Sequence, residues 1–102
     1  MRTLSFKVNG QKLSKDGDFS NIIRGSKRYL QCKFCFEGND WIRHRLIAVF
    51  EANGEEHAVL LRPDKTCLVP DEATDASSIV LTVVGVLGDE IIVTNKELIE
   101  QR

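Results

Sequence analysis

From Ser78 to Thr94 the chain reads Ser-Ile-Val-Leu-Thr-Val-Val-Gly-Val-Leu-Gly-Asp-Glu-Ile-Ile-Val-Thr. Ile79, Val80, Leu81, Val83, Val84 and Val86 make the strongest β-branched, apolar run in the sequence, and Gly88-Asp89 separates it from a second run at Ile91 to Val93. Such a run packs well on a pleated surface and poorly as a helix. A central strand, a tight turn and a partner strand are the expectation, and the rest of the chain has to supply neighbours for them.

The neighbours are legible as short alternating segments. Leu4, Phe6 and Val8 alternate with Thr3, Ser5 and Lys7, the period of a strand with one buried face. Asn9-Gly10 predicts a two-residue hairpin turn, with Gln11 to Leu13 as the return. Between Tyr29 and Phe36 the even positions Leu30, Cys32, Phe34 and Phe36 form the inward face. Leu46 to Ala52 is apolar on both sides, so its second face is expected to be half covered by a loop or by Trp41. Asn53-Gly54 turns the chain into a strand from His57 to Arg62, and Thr66 to Val69 is a further short strand ended by Pro70.

Three segments stay open at this level. Phe19, Ile22 and Ile23 fit either a helical turn or a loop pinned by three anchors. Asp71 to Ala76 could begin a short helical turn. Lys96 to Arg102 suits a last strand, with Leu98 or Ile99 inward, or a frayed helix. About eight short strands at close intervals predict an all-β antiparallel sandwich forming a single domain over residues 1–102.

Composition excludes several classes. A chain of 102 residues suits one domain that buries roughly 60 to 68% of its extended surface. An apolar content of 42% with only two prolines is that of an ordered protein. No run approaches the roughly 20 apolar residues of a membrane span, so no membrane partner is expected. Met1 to Phe6 goes straight into alternation without a leader's apolar core, and the mature chain is expected to begin there, inside a cell. The cysteines, Cys32, Cys35 and Cys67, are odd in number, so reduced thiols are expected. Residues 1 to 50 carry ten basic and four acidic groups, whereas residues 51 to 102 carry four basic and eleven acidic. The halves either interleave as neighbouring strands and neutralise each other, which is the preferred expectation, or leave a bipolar molecule that docks on a charged partner.

No motif for enzymatic chemistry emerges, and no cofactor or metal is implied. Cys32-Lys33-Phe34-Cys35 has metal-knuckle spacing, and Cys67 with His44 or His57 would complete four zinc ligands. Yet residues three apart on a strand point to opposite faces, and no glycine turns the backbone between them. A thioredoxin-like site needs a helix after the pair, and none follows Cys35. Neither His44 nor His57 has a serine or carboxylate placed in sequence as a base requires. Asp16-x-Asp18 begins like a calcium loop, but the position that should hold a bidentate glutamate is Lys27. Arg24, Lys27, Arg28, Arg43 and Arg45, together with Lys33 and interleaved with Tyr29, Phe34 and Trp41, superficially suit a nucleic-acid surface. Phe34 lies on the inward register, however, and a pI near 6.1 is low for a phosphate binder, so nucleic acid is not expected as a partner. The same five basic residues, on the loops Asp16 to Arg28 and Glu37 to Arg45, are the candidates for protein docking. Leu30, Phe34, Trp41, Phe50, Leu81 and Val83 are the expected core.

The spacing of Phe34, Trp41, Ala48 and Phe50, then Cys67, Val69-Pro70, Gly85 and Thr94-Asn95, resembles the small immunoglobulin-like β-sandwich domains of tailed-phage and prophage virion proteins. Domains of this kind open baseplate upper proteins. The resemblance spans roughly Phe34 to Asn95. It implies an immunoglobulin-like sandwich, with Trp41 as the tryptophan after the first long strand, Phe50 closing an inner row, and Gly85 at a bend in the penultimate strand. All are scaffold positions, with no catalytic residue and no cofactor. Members usually continue into fibres, and this sequence ends at Arg102, so the expectation is a non-enzymatic structural or adaptor protein. It would dock to tail, baseplate or capsid proteins, in the virion or in the host bacterial cytoplasm during assembly, with self-association allowed by the charge asymmetry. The other expectation is a phage-encoded inhibitor or antidefence protein that binds a host protein or nucleoprotein complex.

Overall fold

A computed structural model describes residues 1–102 and contains nine strands and no helix. They are β1 (Arg2–Asn9), β2 (Lys12–Lys15), β3 (Leu30–Glu37), β4 (Arg45–Ala52), β5 (Glu55–Leu60), β6 (Thr66–Leu68), β7 (Ser78–Leu87), β8 (Glu90–Val93) and β9 (Glu97–Glu100). The all-β sandwich expected from the turn spacing is what the chain forms. One layer has the order β2-β1-β3-β6; the other has the order β5-β4-β7-β8, with β9 also on β7. The run that dominates the sequence is the longest strand, β7, and it is central: β4 lies on one side, β8 and β9 on the other.

Hairpin registers follow from turn chemistry. Ala52 pairs with Glu55 around Asn53-Gly54, both with positive φ (53° and 79°), which matches the right-handed twist of the strands. At the first hairpin the loop is Gly10-Gln11 rather than Asn9-Gly10: Asn9 still pairs with Lys12, and only Gly10 has positive φ. A glycine first in a two-residue loop suits the turn type that needs positive φ at that position alone, and so the register moves by one residue.

One pairing departs from the antiparallel expectation. β1 and β3 run parallel over their whole length, Arg2 with Leu30 through Asn9 with Glu37. Parallel neighbours require a long crossover, and residues 16–29 supply it without a helix. Of its three apolar residues, Ile22 is buried, Phe19 is half-buried and Ile23 is exposed. Two anchors therefore hold the crossover. Residues 71–76 form successive turns, with Ala73, Thr74 and Ala76 buried. The ambiguous C-terminal segment is a strand, with Ile99 inward opposite Ile79 and Leu98 outward beside Val80.

The inward rows of both layers merge into one core. Leu4, Phe6 and Val8 from β1 and Leu30, Cys32 and Phe34 from β3 meet Ala48 and Phe50 from β4 and Ile79, Leu81 and Val83 from β7. An aromatic line runs along this core: Phe19 packs edge-on against Phe6 at 5.1 Å, Phe6 stacks on Phe34 at 5.3 Å, and Phe36 leads to Trp41 at 5.2 Å.

The two layers are also clasped by hydrogen bonds. Along β8 and β9, three residues (Thr94, Asn95, Lys96) oppose two on β7 (Thr82, Val83), which is a β-bulge. The extra residue sends Asn95 across to the β1–β2 hairpin. There Leu13 N donates to Asn95 Oδ1 (2.7 Å), Asn95 Nδ2 donates to Leu13 O (3.0 Å), and Asn95 N donates to Gln11 O (3.1 Å). The side-chain amide thus gives the edge strand β2 a ladder partner that it would otherwise lack.

Candidate functional site

The expected core residues Leu30, Phe34, Trp41, Phe50, Leu81 and Val83 are all buried. Trp41 is held from three directions. Its Nε1 donates to Gly10 O (2.8 Å), its ring packs on Phe36, and its six-membered edge lies over Gly85. A Cβ at Gly85 would stand 2.7 Å and 2.8 Å from Trp41 Cζ3 and Cε3, so the absence of a side chain there is what admits the indole. His44 continues the same end of the sandwich, with its ring nitrogens 3.0 Å from Ile42 O and 2.6 Å from a Glu90 carboxylate oxygen. Next to it an open cleft of about 500 Å³ is lined by Phe36, Trp41, Arg43, His44 and Lys65, among others.

The five basic docking candidates fall into two separated groups. Arg24, Lys27 and Arg28 precede β3, and Arg43 and Arg45 follow it, so about 26 Å of strand lies between them. The first group is stitched to the fold. Lys27 Nζ donates to Asp71 O (2.9 Å), Thr74 Oγ1 (3.1 Å) and Asp75 Oδ2 (3.1 Å), while Arg28 N donates to Asp71 Oδ1 (3.1 Å). Arg24 N donates to Arg102 O (2.9 Å). Arg28 and Arg43 both have positive φ (53° and 68°), a backbone state that costs a non-glycine residue on the order of 1 kcal/mol. Arg45 differs from the other four: it stands on a strand, on the outer face of the five-stranded sheet.

The cysteines are separated by side. Cys32 and Cys67 face each other inward across the β3–β6 pair, while Cys35 is exposed on the opposite face. Burial, with a smaller effect from Cys67, raises the Cys32 thiol well above its ordinary range, and burial pushes Cys67 up to about 12. Two of the three thiols are thereby kept as small apolar core groups.

The two outer faces of the sandwich are unlike each other. That of the four-stranded sheet presents Thr3, Ser5, Lys7 and Asn9 from β1 and Gln31, Lys33, Cys35 and Glu37 from β3. It is polar and basic, as a solvated face should be. The other presents successive apolar rows. One row is Leu60, Ile47, Val84 and Val93; beside it lies Ala58, Val49 and Thr82; Val86 with Ile91 and Val80 with Leu98 extend the face at either end. Leu60 is 60% exposed and Ile91 63%. The second side of β4 is half-buried at Ile47 and Val49, as expected from its sequence, but Trp41 does not cover it, because the indole turns inward against Gly85.

With four strands about 4.8 Å apart and seven residues at about 3.4 Å each, this face measures roughly 19 by 24 Å, on the order of 450 Å² in projection. Arg45, Glu51 and Glu56 stand at its margins, so its apolar part is about a few hundred Å², the size of the largest apolar patch on a typical monomer, which is often functional. The edges of both sheets are by contrast guarded. β2 and β6 have four and three residues, β5 begins with Glu55-Glu56, and the β8–β9 edge is broken by the bulge. These edges are poor templates for strand addition.

Charge is segregated by layer instead of interleaved. The strands of the four-stranded sheet carry five basic residues and one acidic, and those of the five-stranded sheet carry one basic, Arg45, and six acidic. The preferred expectation of neutralising neighbours gives way to a bipolar sandwich, because β1, β2 and β3 all enter one layer. The outer apolar face could have been found in the sequence from Val80, Val84 and Val86, which break the alternation of β7. No family model matches the chain, and neither a curated protein nor a solved structure is found to match it.

Proposed function

We propose that this protein is a non-enzymatic docking module that joins other proteins through the outer face of its five-stranded sheet. In the setting that the resemblance implies, it is a structural or adaptor protein of a phage or prophage, and its partners are tail, baseplate or capsid proteins. One observation carries the reading: the apolar rows through Ile47 and Val84 face outward on one layer, half-buried at the centre of the sheet and exposed at Leu60, Ile91, Val93 and Leu98, while the equivalent side of the other layer is polar. Water is expelled most favourably from such a patch, at about 25 cal/mol per Å² of apolar surface covered.

The exposed Cys35 thiol sits on the polar face and offers a tether that leaves the apolar face free. Chain immobilised through Cys35 should capture particle proteins from lysate of phage-induced cells. Val84→Asp should lose that capture, and Lys33→Glu on the other layer should retain it. Equal capture by all three would overturn the reading. Capture of a soluble host enzyme instead of particle proteins, still lost in Val84→Asp, would keep the face and replace the virion setting with an inhibitory one.

A further inference from the structure

The outer face of the five-stranded sheet is complementary to itself, and we infer that its occupant is a second copy of this chain, packed face to face about a two-fold axis. The inference rests on the docking reading above: in the free protein a second copy holds the face that the proposed virion partner would take.

The register fixes the geometry. Val59, Ala48 and Val83 form one row across β5, β4 and β7, and Thr94 N donates to Val83 O (3.1 Å) to continue it. Let the axis lie in the interface along this row. Each strand then crosses its own copy in the reverse direction, and residues equidistant from the row meet. Leu60 comes opposite Ala58 of the second copy, a large group over a small one. Ile47 meets Val49, and Val86 with Ile91 meets Val80 with Leu98. Aligned sheets pack with a rotation of about 30°, a shift that these side chains can span.

The charges supply the independent support. Glu51 and Glu56 are direct cross-strand neighbours on the outer face, an arrangement of like charges that destabilises a sheet. Lys27 pairs with Asp75, and the other close side-chain contacts of carboxylates with basic groups are those of His44 with Glu90 and of His57 with Glu55 and Glu72, so none relieves this pair and none uses Arg45. Arg45 and Glu51 are each three residues from Ala48 on β4. The same axis therefore sets Arg45 of each copy against the acidic pair of the other. An axis running along the strands would instead stack Arg45 on Arg45 and the glutamates on one another.

A projected footprint on the order of 450 Å² per copy is at the small end for a specific interface, so association should be reversible and in the micromolar range. Sedimentation equilibrium of the full chain, from about 1 μM to 1 mM, should show the mass rising from 11.5 kDa to twice that value. Arg45→Glu alone and Glu51→Arg alone should each weaken association about tenfold or more, and the double variant R45E/E51R should recover it to within about threefold. Arg45 is exposed and Glu51 half-buried, and far-UV circular dichroism checks that each variant folds. A wild-type dimer that ignores the single reversals, or is not rescued in the double variant, overturns this packing. A wild type that stays monomeric at 1 mM overturns the second copy altogether. In that event the docking reading survives if Val84→Asp still abolishes capture by Cys35-tethered chain, and falls with it if capture is indifferent to Val84.

Discussion

Replacing Gly85 by alanine should destabilise this protein, although propensity alone argues the reverse. Glycine in a strand interior costs roughly 0.5 to 1 kcal/mol relative to alanine, and Gly85 lies within β7 without a positive φ, so alanine would be welcome to the backbone. The new methyl, however, would lie 2.7 Å from Trp41 Cζ3, 2.8 Å from Cε3 and 3.3 Å from His44 Cβ. Carbon atoms rest at about 3.5 to 4 Å, so the indole must retreat by roughly 1 Å. It is held by the 2.8 Å bond to Gly10 O and by Phe36, and cannot retreat without loosening one of them. Overpacking costs about 1 to 3 kcal/mol, and a contact this short against a held ring belongs to the upper half of that range, so after the propensity gain is subtracted a net loss of about 1 to 2 kcal/mol remains. For a domain of this size that is a fall in Tm of about 5 to 15 °C. Thermal unfolding followed by circular dichroism measures it. Trp41→Phe should by itself cost stability, and in the double variant the penalty of Gly85→Ala should shrink by at least half, since the colliding ring is gone. A Gly85→Ala variant as stable as the parent, or a penalty unchanged in the Trp41→Phe background, would refute the reasoning.

Other outcomes follow from the clasp, the thiols and the turns. Asn95→Ala should cost about 2 to 3 kcal/mol by stranding Leu13 N–H and C=O, and Leu13 amide exchange should speed up by more than the loss of global stability accounts for. Asn95→Asp keeps the acceptor for Leu13 N and should lose less than alanine does. With a chromogenic disulfide reagent at pH 8, native protein should titrate one thiol, Cys35, whereas Cys32 and Cys67 should react only at the rate of unfolding. Hydrogen bonds from Thr66 and Ser20 hold the Asp64 and Asp18 carboxyls below their ordinary value. A carboxylate depressed in the folded state contributes stability that is complete above the unfolded value, about 3.9, and is lost as pH falls below it. Denaturation midpoints should therefore drop as pH falls below about 4, and Asp64→Asn should flatten that drop.

How far the sequence could be read depends on the range of each interaction. The strand at 78–87 was legible because one face of β7 is set by Ile79, Leu81 and Val83 alone, and the hairpin at Asn53-Gly54 because its turn needs nothing outside two residues. The parallel pairing of β1 with β3 left no local mark: it depends on where a crossover of fourteen residues, 16–29, lands. The same is true of Asn95, whose partners lie 82 residues away. Arg43 and Arg45 look alike in sequence, yet one belongs to an end loop and the other to a sheet face, a difference settled by the register with Val86. The apolar outer face was half visible. Residues 46–52 were apolar on both sides, but without the neighbouring strands nothing told a covered face from an open one.

The last two residues give the crossover its footing. Arg102 N donates to Ile22 O (2.8 Å), Arg24 N donates to Arg102 O (2.9 Å), and the buried Gln101 side chain reaches Ala76 O (2.7 Å) and Thr74 O (3.2 Å). Gln101 and Arg102 are synthesised long after β1, the crossover and β3. The parallel pair can meet earlier, but it cannot be locked until residues 101 and 102 arrive, so the cooperative step in folding of this molecule has to wait for them.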